Sequence, residues 1–453
     1  ALDGVHGIHH GYAPVQGRDE LGVSQAVQAR SLRIQSLAAQ ALHLLHPTGG
    51  DHLMNAVVDS RVERLSLHRE TDLNGCGTRQ DFARVTLPPP DAATSPVEGD
   101  FQRAHDAHLV VDGDPLCAEV SLADVCEATE SSGNHFIRNH YRVPNIKRDE
   151  WALSVTGLVL NSLEIHYDDL IAMPSTEVVG LMECAGNSRS IVHPRVPGVQ
   201  WGHGAIGTAC WKGVPVHKVL EKAMLLQSAS EVVFIGNDGD QIPISQSVSR
   251  YAISVPLDKL LEPTTILAYS MDGKGIPKHH GYPVRLIVPG WYGMTSVKWI
   301  TDMKVIDSPN SGVYEREYSL YPSFNGNFGN VAQRVTALKV KSLIANPGSG
   351  SVIDRTMQQI NGLSWCGEGY IRKVEVSFDD TRTWNQAEVE EPYSPYSAQR
   401  WKFDWEPPVV GHYLIRSRAT DSHGNVQPLV ANWNYRGLQV NSVHCVPIRV
   451  VDN

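Results

Sequence analysis

From about residue 325 to residue 453 the sequence consists of short runs in which apolar and polar residues alternate, with turn residues between them. "IRKVEVSFDDTRTWNQAEVE" (371–390), "RWKFDWEP" (400–407), "GHYLIRSRATD" (411–421) and "CVPIRVVDN" (445–453) all read this way. A period of two gives each strand one face for a core and one for water, and a helix cannot satisfy it. Many such runs at close spacing predict a β-sandwich for 325–453.

Upstream, over 113–324, strand-like and helix-like stretches mix. "WALSVTGLVL" (151–160), "EVVGLMEC" (177–184), "EVVFIGNDGD" (231–240) and "YPVRLIVPGWYG" (282–293) read as strands, and "VHKVLEKAML" (216–225) as a helix. No GxGxxG follows a strand, so a nucleotide-binding doubly wound sheet is not indicated. Residues 1–112 differ again. "SQAVQARSLRIQSLAAQALHLLH" (24–46) carries apolar residues at helical spacing, and "TLPPPDAATSPVEGD" (86–100) reads as a linker. The expectation is an α+β chain of three parts: a helical N-terminal extension (1–112), a mixed α/β domain (113–324) and a β-sandwich (325–453).

Hydrophobic residues make up 42% of the 453, enough for a sizeable core, and no run approaches the ~18 apolar residues of a membrane helix. The formal charge of -10 argues against a nucleic-acid partner. No signal-peptide h-region opens the sequence, which reads as a mature or trimmed chain. The seven cysteines are widely spaced, odd in number and nowhere arranged as CxxC. A disulfide framework and a zinc ribbon therefore have no support, and at least one thiol is expected to be free.

One cysteine lies in "LMECAGNSRS" (181–190), where a strand meets a turn. Gly186 permits a tight or left-handed turn, and Arg189 could lower the Cys184 thiol pKa. Taken alone, Cys184 also reads as a small buried apolar side chain.

"ECAGN", with arginine five residues after the cysteine, resembles the molybdenum-ligand loop of the sulfite oxidase family. Further stretches resemble that family's motifs in order: "HFIRNHYRVPN" (135–145), "WGHGAIGTACWKGVPVHKVL" (201–220), "AYSMDGKGIPKHHGYPVRLIVPGWYGMTSVKW" (268–299), "EREYSLYP" (315–322) and "ATDSHGNVQP…NWNYRG" (419–437). The resemblance covers about 113–450. It implies a sulfite-oxidase-type molybdopterin domain followed by an immunoglobulin-like dimerisation domain, and hence a homodimer.

For the residues, the resemblance implies Cys184 as the thiolate ligand of a molybdenum-molybdopterin cofactor, with Cys210 left in the core. Soft thiolates suit such a metal. Arg138, Arg189 and Arg436, with Trp201 and Tyr318, would line the pocket of a small anion, where the planar guanidinium fork suits an oxyanion. Asn139, His140, Asp238, His280, Arg285, Ser296 and Lys298 would contact the pterin and its phosphate. The implied reaction is oxidation of sulfite to sulfate, with electrons passed singly to an acceptor such as a cytochrome c. A silent structural subunit, or a relative acting on another small oxyanion or sulfur compound, is the alternative.

The chain also departs from the family pattern. Pro197 and Gly198 stand where a basic residue often precedes the tryptophan, which would weaken sulfite affinity or shift preference. In the N-terminal part, "HPTGGDH" (46–52) and His68 have some likeness to a b-type haem ligand loop. The insertion of Thr48 and the absence of tryptophan from 1–112 count against haem there. Family habit favours the mitochondrial intermembrane space, with the bacterial periplasm as the alternative.

Overall fold

In the stretch "VHKVLEKA" the apolar residues fall at i, i+3, i+4 and i+7, and these residues form the helix Val216–Ala223. Its Val216, Val219, Leu220 and Ala223 are all at most 1% exposed. Pro215 precedes the first turn and Met224, at φ 58°, ends the helix. Burying each of its larger apolar side chains contributes about 1.5–3 kcal/mol, which a helix this short needs. The computed structural model describes residues 108–127, 135–241, 248–320 and 333–452. The stretches expected as helix (24–46), linker (86–100) and haem-like loop (46–52, with His68) lie outside them.

The described residues belong to one compact unit. In its N-terminal part, a three-stranded sheet joins His108–Gly113, Leu116–Val120 and Ile137–Arg138. Its first hairpin straddles the boundary expected at 112/113. A second sheet runs Lys274–Gly275, Ile266–Met271, Ile206–Pro215, Thr176–Glu183, with Arg285–Ile287 also paired to Ile266–Met271. A third runs Leu163–His166, Ala152–Gly157, Ile300–Ile306, Glu231–Gln241, Val248–Pro256. In it Ile300–Ile306 pairs parallel with Ala152–Gly157 and antiparallel with Glu231–Gln241. The second and third sheets share a cluster that includes Val214, Leu267, Leu286, Phe234, Ile253 and Met303. Strand expectations at 151–160, 177–184, 231–240 and 282–293 all fall on observed strands, the last shortened to Arg285–Ile287.

The C-terminal part is β-rich. One sheet has Lys341–Asn346, Gln358–Trp365, Gln399–Trp405 and Glu388–Val389; the other has Val352–Asp354, His444–Val451, Gly411–Asp421, Ile371–Ser377 and Asn385–Gln386. Residues from both, among them Ile344, Ile360, Trp401, Val374, Ile415 and Ile448, form one buried cluster. This is what alternating strands require when each sheet has one apolar face. Among the described residues, no helix is long and apolar enough to cross a membrane.

Candidate active site

Strand Thr176–Glu183 pairs with Ile206–Pro215 up to the contact of Glu183 with Ile206. Cys184 follows at once, its N–H donating to Ala205 O (2.9 Å). The chain then turns: Asn187 N donates to Cys184 O (2.9 Å) and Arg189 N to Gly186 O (3.1 Å). The left-handed residue of this turn is Ser188, at φ 70°, and not Gly186. Gly186 serves close approach instead. A Cβ there would lie 2.5 Å from Arg189 Nη2, and one at Gly198 (φ +107°) would lie 2.8 Å from Arg189 Nη1.

The Arg189 guanidinium is therefore clamped against backbone. Its Nε donates to Arg436 O (2.9 Å) and its Nη1 to Val199 O (2.8 Å). It is 9% exposed, and burial lowers its pKa from the usual value. Among the described residues no carboxylate pairs with it. A buried cation held only by carbonyls is a ready partner for an anion.

Beside the turn lies a cavity of about 620 Å³, counted with its open mouth. It gathers nine of the thirteen residues expected at the site: Arg138, His140, Cys184, Asp238, His280, Arg285, Ser296, Lys298 and Tyr318. Burial pushes the Cys184 thiol up, while Arg138 and Arg189 pull it down. Burial takes the Tyr318 phenol to about 12, and its hydroxyl shares a short hydrogen bond with His140 Nε2. Burial, and then Arg138, hold the His140 imidazole well below its ordinary range; burial does the same to His280.

Three cations line this cavity: Arg138, Arg285 and Lys298. Arg285 donates to His280 O and Ser296 O, both at 2.8 Å. Lys298 donates to Arg138 O (2.9 Å), His279 O (2.8 Å) and Asn139 Oδ1. Burial lowers Arg285 to about 9 and Lys298 well below its usual range. Asp238 is the one acid among the lining residues, and burial raises it to about 6. Asp238 Oδ1, Arg285 Nε and His135 Nε2 are buried without a hydrogen-bond partner. Buried polar atoms are rarely left so, and cations depressed by burial gain most from a bound polyanion. A polar, phosphate-bearing ligand beside a thiol is the chemistry that this donor set fits.

Four expected residues are not among those lining the cavity: Arg189, described above, and Asn139, Trp201 and Arg436. Asn139, 1% exposed, holds Lys298 and anchors to Leu116 O (3.0 Å). Trp201 is fully buried in an apolar cluster against Phe136, its Nε1 unpartnered. Arg436 supplies the carbonyl that clamps Arg189, while its own side chain pairs with Glu317 (2.6 Å). Cys210, expected in the core, is only partly buried on its strand. Cys117, Cys184, Cys210 and Cys366 are free thiols.

Nine further lining residues were not expected as site residues, among them His135, Phe136, Met182, Tyr251, His279 and Met294. His135 packs edge-on to His280 at 5.2 Å, and burial drops its pKa to about 3. The signal for His135 lies within "HFIRNH", three residues before Arg138. Tyr251, stacked on His140 at 4.5 Å, sits in a strand with no motif of its own.

The outer support of the turn contains a titrating group. Glu119 Oε2 accepts from Gly204 N (3.4 Å), in the segment whose Trp201 and Gly202 carbonyls accept from Ser190 and Ser188. Burial raises Glu119 from 4.5 to about 7. Between those two values the unfolded chain has lost the proton and the native chain keeps it. Stability therefore falls as pH rises through this window and stays reduced above it, by about 3 kcal/mol at most. Glu119→Gln should melt higher than the parent above pH 7 and should remove this slope. Parallel melting profiles of the two proteins from pH 4.5 to 8 would refute the assignment.

Comparison with known proteins shows the family. The family model described as "Oxidoreductase molybdopterin binding domain" matches residues 140–314, and "Mo-co oxidoreductase dimerisation domain" matches 332–451. Mitochondrial sulfite oxidase of Rattus norvegicus is 32% identical over 81% of this chain and 69% of the relative. That of Homo sapiens is 33% identical over 70% of this chain and 60% of the relative. The NADH nitrate reductase of Ulva prolifera is 30% identical over 68% of this chain but 39% of its own length. The chain thus spans roughly three fifths to two thirds of these animal relatives. The sulfane dehydrogenase SoxCD structure from Paracoccus pantotrophus superposes with a TM-score of 0.65 at 24% identity, over 82% of this chain and 92% of that one, which supports the fold. The chain belongs to the sulfite oxidase family of molybdopterin oxidoreductases.

Proposed function

We propose that this chain binds molybdenum-molybdopterin through Cys184 and oxidises sulfite to sulfate, passing electrons singly to an acceptor such as a cytochrome c. The observation that carries the proposal is one cavity holding a part-buried thiol and three cations, Arg285 buried and Arg138 and Lys298 part-buried, beside the carboxylate-free guanidinium of Arg189. When bound, the pterin-held molybdenum supplies oxygen-atom transfer and takes up the electron pair. Cys184 would hold the metal as a thiolate. Arg285, Lys298, His280, Ser296 and Asp238 would hold the pterin and its phosphate, with Asn139 fixing Lys298. Arg138 and Arg189 would hold the oxyanion; Arg436 and Trp201 would act from behind them. Tyr318, hydrogen-bonded to His140, would hold the proton that moves with each departing electron.

Arg436 is already neutralised by Glu317. That pairing favours a second reading, in which the substrate is a related sulfur compound or oxyanion of lower charge. The proposal extends to a division at 113–324 and 325–453, an immunoglobulin-like sandwich in the second part and a homodimer formed through it. The mitochondrial relatives support the mitochondrial intermembrane space over the bacterial periplasm.

Metal analysis of freshly purified protein, with a sulfite-to-ferricyanide assay, tests the proposal. Stoichiometric molybdenum and sulfite turnover are expected. A folded protein without molybdenum would overturn the cofactor assignment. Loaded protein that turns over another sulfur compound and not sulfite would establish the second reading. An optical spectrum completes the test, and no sharp Soret band is expected.

A further inference from the structure

Glu183 and Lys341 form a buried ion pair directly behind the cysteine turn. Both side chains are 2% exposed, and Lys341 Nζ lies 2.8 Å from Glu183 Oε1. Glu183 ends the strand that delivers Cys184, while Lys341 opens strand Lys341–Asn346 of the C-terminal β-rich part. The pair is bonded on several sides. Asn187 Nδ2 donates to Glu183 Oε1 (3.0 Å) and Trp365 Nε1 to Glu183 Oε2 (2.9 Å). Lys341 also donates to Ser188 Oγ (3.0 Å). Trp365 lies opposite Lys341 in its sheet. Ser188 Oγ shares a hydrogen bond with His203 Nδ1 (2.8 Å), and the His203 ring packs on His444 at 4.4 Å.

These bonds grip the residue before Cys184 and the residue before Arg189. Ser188 is the left-handed, non-glycine residue of the turn, a conformation that persists only where surroundings hold it. A buried ion pair is a poor source of stability, because well-packed apolar residues of the same volume often do as well. What such a pair can supply is one defined geometry.

We infer that Glu183 and Lys341 are positioning residues for the cysteine turn, so that the C-terminal β-rich part sets where Cys184 and Arg189 stand. The consequence for catalysis rests on the function proposed above; the geometry does not.

Lys341→Met alone leaves a buried carboxylate unpaired, so the informative variant is the double change Glu183→Gln with Lys341→Met. It is compared with wild type and with Ser342→Ala, which breaks the Ser342–Ser417 bond (3.1 Å) and leaves the turn untouched. In full chain made without the cofactor, Cys184 alkylation by iodoacetamide is followed by peptide mass spectrometry. The double variant should react on the order of tenfold faster than the other two, as a loosened turn exposes the thiol. In loaded enzyme its KM for sulfite should rise. A folded double variant that alkylates at the wild-type rate overturns the inference. If the double variant does not fold, Trp365→Phe, which removes one donor to Glu183, is measured in the same way, and an unchanged rate overturns it. Faster alkylation, together with a loaded wild type that does not oxidise sulfite, upholds the positioning role and removes the sulfite reading.

Discussion

Cys184→Ser, at the proposed metal ligand, should yield a folded protein without the proposed sulfite turnover. The substitution changes one atom at a partly buried position on the edge of an apolar cluster, so the loss of stability should be small. The backbone bonds that shape the turn, Cys184 N to Ala205 O and Asn187 N to Cys184 O, survive the change. What disappears is the soft thiolate. A serine hydroxyl stays protonated near neutrality and makes a poor ligand for a metal that favours sulfur. Circular dichroism and thermal melting should match the parent, while turnover with ferricyanide falls below detection. Full activity in the variant would refute the ligand assignment.

The second large effect is expected at Arg189. Arg189→Gln keeps an amide N–H about where Nε meets the Arg436 carbonyl, but it gives up the Nη1 bond to Val199 O and removes the buried charge. A hydrogen bond to a charged group is worth about 1.5–3 kcal/mol, so kcat/KM for sulfite should fall by about a hundredfold. Arg189→Lys should not restore it. The ammonium cannot reproduce the planar fork, and the guanidinium fills the space that Gly186 and Gly198 leave open. Steady-state kinetics on the three proteins checks this. A lysine variant with the parent's kcat/KM would show that point charge alone suffices and that the clamp is irrelevant to substrate.

Much of this site is legible in the amino-acid order, for a definite reason. Arg138, Asn139 and His140 are consecutive; Cys184 and Arg189 are five residues apart; His280, Arg285, Ser296 and Lys298 fall within one nineteen-residue stretch. Residues one to five positions apart stay within about 3.5 Å per residue of one another, so a short motif can carry them. The residues that no motif marks reach the site from elsewhere. Tyr251 stacks on His140 across more than a hundred positions, and Lys341 meets Glu183 across 158. Such partners leave no local pattern, because only the packing of separate sheets brings them together. Position within the site is harder still to read. Trp201 and Arg436 were expected to line the pocket, yet one is fully buried among apolar side chains and the other is paired with Glu317. Residue type and spacing say nothing about which way a side chain faces once its strand or loop is packed.

The sequence by itself determined the kind of chain this is. Its alternating runs required β-sheets in the C-terminal third, its 3.6-residue spacing required the helix at 216–223, and its ordered motifs identified the family. These are local properties, set by backbone geometry and by neighbours a few residues apart. Only the tertiary structure decided how the turn at Cys184 is held. Two segments, one ending at Glu183 and one beginning at Lys341, meet in a buried ion pair with Trp365, Asn187 and Ser188 around it. Opposite charges so far apart in sequence find each other only when the sheets that carry them exclude water together, and the geometry of the site follows from that burial.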